Sequence, residues 1–172
     1  MFIIHIKVKK QGGGHKQNNM MQLIVIAVSV LALIYMYKKF GKKDIRTELI
    51  IAFLMSLIWV TQSGFYTYKT GNYILFGINL FPLVAWTAGL VLLKELYESM
   101  KGKYRYLKIV GFYLLMIMAI EYIGYNYWNI QINSCYPGLF GIEMMHMPSF
   151  GQLYYLTAGP LYIFITDKFG VK

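Results

Sequence analysis

Five apolar runs of bilayer-crossing length are separated by connections that are alternately rich in basic residues and almost free of them. A hydrocarbon core about 30 Å thick takes about 20 helical residues to cross. The expected spans are 21–37, 48–66, 73–95, 107–127 and 149–166. With 58% hydrophobic and 14% charged residues among 172, the chain is far from an ordinary soluble domain, in which about 25% of residues are charged. The expected fold is all-α: one polytopic bundle of five transmembrane helices over 21–172, with an outer loop at 128–148.

The basic residues orient this bundle. Lys38, Lys39, Lys42, Lys43 and Arg46 follow the first run, and Lys94, Lys101, Lys103, Arg105 and Lys108 separate the third from the fourth. Only Lys69 lies between the second and third, and 128–148 holds no basic residue. By the positive-inside rule the basic connections and the Lys168/Lys172 tail are cytoplasmic, which puts the N-terminus outside and the C-terminus inside. A multi-pass protein of a bacterial cytoplasmic membrane is expected. The same placement accounts for the net charge of +10 without a nucleic-acid partner, and leaves membrane lipids or another membrane protein as partners.

Residues 1–20 depart from the rule, since Lys7, Lys9, Lys10 and Lys16 are sent outward. The segment reads either as a disordered basic arm or as sequence upstream of a start at Met20 or Met21. The first run has no small-residue cleavage site and ends in Tyr35, Tyr37, Lys38 and Lys39, so it reads as a retained anchor. Cys135 is the only cysteine, which excludes an internal disulfide. Pro82 and Pro160 lie within expected spans, where a missing N–H predicts kinks facing the bundle interior.

Glu121 is the residue most in need of explanation. It falls about six residues, or ~9 Å, from the outer end of the fourth span. An ionised carboxylate at mid-membrane costs about 2.5–3.5 kcal/mol, so Glu121 is expected to be partnered or protonated. Helical spacing puts Ile117, Gly124, Tyr125 and Trp128 on its face; Gly124 leaves room for a neighbour, and Tyr125 and Trp128 can donate hydrogen bonds. Gln62, Ser63, Asn79, Tyr154 and Thr157 share its depth on other spans. Together they predict a polar cluster in the outer half of the bundle, with Gln62, Asn79, Tyr125, Trp128 and Tyr154 as ligand-binding residues. The alternative is an interhelical hydrogen bond that holds the bundle together.

The connection 128–148 is apolar and aromatic, so it is expected to lie back on the bundle as a lid over Glu121, shaped by a Tyr136-Pro137-Gly138 turn. Within it Glu143 and His146 have an i, i+3 spacing. With Glu121 they form part of a carboxylate–histidine metal set, while Met144, Met145, Met147, His146 and Cys135 are soft donors suited to Cu(I). Methionine is equally a filler of apolar gaps.

At Glu121-Tyr122-Ile123-Gly124-Tyr125, Tyr136-Pro137-Gly138-Leu139, His146-Met147-Pro148 and Gly159-Pro160-Leu161-Tyr162, over about its C-terminal third, the chain resembles a group of small bacterial multi-span membrane proteins. That group carries no activity to transfer. The chain is more faintly similar to lycopene cyclase domains, and this similarity implies a small helical membrane unit with an intramembrane carboxylate. The paired Glu-Glu after a proline expected in that family is absent.

Three functions follow from these residues. The first is a non-enzymatic accessory protein that binds a lipid or a partner helix, consistent with the absence of any recognised nucleophile or nucleotide loop and with no implied cofactor. The second is an intramembrane enzyme of cyclase or isomerase type acting on an isoprenoid or other lipid, with Glu121 as proton donor and His146 as its exchange partner, both catalytic. The third is metal handling through Glu121, Glu143 and His146.

Overall fold

The computed structural model describes residues 15–40, 44–62, 66–69, 71–133 and 136–169. Ser63, Cys135 and most of the basic arm lie outside the described residues. Among those described there are five helices: α1 (His15–Phe40), α2 (Asp44–Gln62), α3 (Leu80–Ser99), α4 (Arg105–Asn126) and α5 (Ser149–Lys168). The first helix begins at His15, six residues before the expected span. Three helices are long and apolar enough to cross a membrane, namely α1 over Met20–Lys39, α3 and α4.

The hub of the bundle is α3, which packs against all four other helices. Its Leu90, Val91, Leu93 and Lys94 are fully buried. The outer helices turn apolar residues away from the bundle instead: Val28 and Leu31 on α1, Ile50 and Ile58 on α2, Leu107 and Leu115 on α4, Leu153 and Phe164 on α5. Soluble monomers rarely expose contiguous apolar surface on this scale. Both α1 and α4 lie on α3, yet they do not pack closely on each other, and a space remains between them.

The third helix starts later than expected. Residues 74–79 form a two-stranded hairpin, β1 (Ile74–Leu75) antiparallel to β2 (Ile78–Asn79), turned by Phe76 and Gly77 at φ of 51° and 81°. Two left-handed residues in a two-residue loop match the twist of paired strands. Asn79 then caps α3, its side chain accepting from the Phe81 N–H. Pro82 therefore falls in the first turn, where its missing N–H has no intrahelical partner to lose, so the kink expected there does not form. Pro160 is inside α5, and its carbonyl accepts from the Tyr106 hydroxyl at 3.3 Å.

The two connections poor in basic residues meet at one end of the bundle. Tyr68 and Ile132 form an antiparallel bridge, with Lys69 N–H donating to Gln131 O (2.9 Å) and Asn133 N–H to Thr67 O (2.7 Å). The Lys69 ammonium also donates to the Gln131 side chain. Beyond the bridge, the connection lies back on the bundle: Leu139, Met144, Met145 and Met147 are core residues, so these methionines fill space. Gly138 is required here, because a Cβ would sit 1.8 Å from the Ile142 carbonyl oxygen.

Near the other end, Lys94 is not part of the basic connection. Its side chain is buried within α3 and bonded to Asp167 (2.7 Å) on α5 and Glu98 (3.1 Å) one turn on. Tyr97 donates to the other Asp167 oxygen, and the Arg105 guanidinium lies 4.5 Å over the Tyr97 ring.

Candidate functional site

The site is built on the inward stripe of α5. Gly151, Tyr155, Ala158, Gly159, Tyr162 and Thr166 recur at helical spacing and are all buried. Small residues on this stripe let the backbone come close: a Cβ at Gly159 would lie 2.6 Å from the Tyr113 ring and 2.8 Å from Leu93. The Tyr113 hydroxyl bonds the Tyr155 carbonyl across this contact. Tyr155 is thereby held facing the space between α1, α3 and α4.

A second tyrosine enters from the non-helical connection after α2. Tyr66 is fixed by Asn79, whose side-chain amide donates to the Tyr66 carbonyl at 2.8 Å. Its hydroxyl oxygen accepts from the Trp59 indole N–H and from that of Trp86 at 3.1 Å. Indole N–H groups can only donate, so both oxygen lone pairs of Tyr66 are occupied and its own proton must go outward. It goes to the Tyr155 hydroxyl at 3.2 Å, and Tyr155 lines the same cavity as Glu121. The two tryptophans thereby set the polarity of this relay, which runs from them through Tyr66 to Tyr155.

Glu121 opens onto a cavity of about 300 Å³ between α1 and α4, floored by α3. Val28 and Ala32 of α1, Ala85 and Gly89 of α3, and Ile117 and Gly124 of α4 give it apolar walls. Among the lining residues Glu121 alone is charged. Nothing lies within 4 Å of a Cβ built at Gly89 or Gly124, so the neighbour expected beside Gly124 is replaced by open space. The volume falls at the lower end of the range for small-molecule sites, about 300–1,000 Å³.

Of the residues singled out from the sequence, Glu121, Tyr125 and Trp128 line this cavity. Three others are used differently. Asn79 spends its polar atoms on the α3 cap, on Asn72 and on the Tyr66 carbonyl, so it positions Tyr66 and does not reach the cavity. Tyr154 stacks on Trp59 at 3.8 Å and donates to the Met55 carbonyl, on the side of α5 away from the cavity. Thr157 bonds back to the Leu153 carbonyl of its own helix. Gln62 closes α2, and its side chain lies outside the described residues.

His146 stacks on Tyr125 with ring centroids 4.5 Å apart, while its ring nitrogens contact the Tyr136 carbonyl and the Glu143 carboxylate at 3.0 Å each. The i, i+3 pair thus forms without a helical turn. His146 does not line the cavity, and among the described residues no three of His, Cys, Asp and Glu come together as a metal site. The trio Glu121, Glu143 and His146 is not assembled.

Tyr66, Trp86, Tyr113 and Tyr155 were missed by depth counting. The small-residue stripe of α5 carries the signal for Tyr155, one position from Tyr154, and Tyr66 has no such signal because it stands beyond a helix end. Comparison of the chain with family models, curated proteins and solved structures finds no match.

Proposed function

We propose that the chain is an integral membrane protein of five spans, with its N-terminus outside and its C-terminus cytoplasmic, and that it binds the apolar chain of a membrane lipid in the cleft between α1 and α4. The observation that carries this reading is the cavity itself, apolar along its walls and ended by a single carboxylate. The outward apolar stripes on α2 and α5 support five spans in place of three. The role we propose is accessory and non-enzymatic, since among the described residues no histidine joins Glu121 on the cavity wall.

Glycine supplies the test. Gly89→Leu and Gly124→Leu each put a side chain into open space and replace a mid-helix glycine, so each variant keeps its fold and gains about 0.5–1 kcal/mol. The protein is purified in mild detergent, and its retained lipid is extracted and quantified by mass spectrometry. Wild type retains lipid, and both variants lose most of it while melting no lower. Equal retention in all three overturns the cleft as a lipid site.

A further inference from the structure

We propose that the ligand of this cleft carries a cationic nitrogen: the site takes a lipophilic ammonium, whose amine or quaternary head meets Glu121 while its apolar tail lies between α1 and α4. The proposal rests on the cleft reading above and names the chemistry of its occupant. Among the described residues no basic side chain is paired with Glu121. A carboxylate offers about four acceptor positions, and that of Glu121 faces the cavity. A carboxylate in an apolar wall without a counter-ion either holds its proton or takes a counter-ion from outside, and a cationic ligand supplies one.

The walls around Glu121 are suited to that counter-ion. Tyr68, Trp86, Tyr125 and Trp128 line the same cavity as Glu121. Aromatic faces attract ammonium groups within about 6 Å of the ring centroid and do so most strongly when water is excluded. An anionic head is repelled by the carboxylate, and a neutral hydroxyl head gains nothing from the rings.

The test uses the full chain in detergent micelles and two probes of one shape and opposite charge, tetraphenylphosphonium and tetraphenylborate. Equilibrium dialysis gives saturable binding of the cation and none of the anion. Glu121→Gln weakens cation binding by about tenfold or more, the scale of one desolvated charge contact, and Glu121→Asp restores part of it. Far-UV circular dichroism and melting of the Gln variant confirm that it is folded. Displacement by phosphatidylethanolamine but not phosphatidylglycerol identifies an amine-headed lipid as the source; displacement only by dodecyltrimethylammonium identifies a free amphiphilic cation. Cation and anion binding alike, or a folded Glu121→Gln variant binding as wild type, overturns the cationic ligand. If Gly124→Leu still sheds lipid in that case, the cleft stands and only the head-group assignment falls.

Discussion

Gly124 and Gly159 are the same residue put to opposite uses, and substitution separates them. At Gly159 two helices and the Tyr113 ring close on the backbone, and an added Cβ has no room. Gly159→Ala therefore overpacks the contact and lowers stability by about 1–3 kcal/mol, read as a drop in melting temperature in detergent, while Gly124→Ala does not. The sequence marks both as glycines in apolar runs and cannot say which one faces a neighbour. Tyr154 and Tyr155 make the same point from the polar side. They are neighbours in the chain, but a step of about 100° around the helix sends one to Trp59 and the other to Tyr66 and the cavity. Depth was legible from residue counting, whereas facing needed the stripe that runs from Gly151 through Gly159 to Thr166.

Among elements, α3 is where the sequence reading and the fold diverge most. Tyr73 to Phe81 is a run of apolar residues with one Gly and one Asn, and it carries no clear period of either 2 or 3.6. Phe-Gly is a weaker hairpin signal than Asn-Gly, so the run was merged into the helix. The polar end of α3 was misread for a related reason: charge alone assigned Lys94 to the basic connection, although Asp167 waits for it on α5. The pair is asymmetric, since the Lys94 side chain is 2% exposed and that of Asp167 38%. Asp167→Asn leaves a buried ammonium with only Glu98 and costs about 2 kcal/mol, the scale of a hydrogen bond to a charged group. Lys94→Met leaves two acids that reach water and fills the site with apolar volume, so it costs less than about 1 kcal/mol. Thermal melts of the two variants in one detergent check the order; equal losses would refute the asymmetry.

At the scale of the whole molecule, the alternation of basic and neutral connections read from the sequence corresponds to two ends of one bundle. The Tyr68–Ile132 bridge joins the neutral connections at one of them. On the five-span reading, a reporter active only in the cytoplasm works when fused after Lys103 or Lys172 and is silent when inserted near Ser134. The reverse pattern would turn the bundle over and move the mouth of the Glu121 cavity to the inner leaflet. What no residue count could supply was the gap between α1 and α4, because a space is a property of helices that fail to touch. The Lys94–Asp167 pair spans 73 positions of chain, and this separation has a consequence for biogenesis. On the five-span reading, a ribosome makes the third helix well before the fifth, so the ammonium enters the bilayer with Glu98 alone as its counter-ion. Nascent chains stopped before Ser149 carry an unfinished charge in an otherwise greasy assembly, and membrane quality-control proteases have a reason to remove them. On that reading, arrival of the last helix supplies the missing acid and completes the assembly.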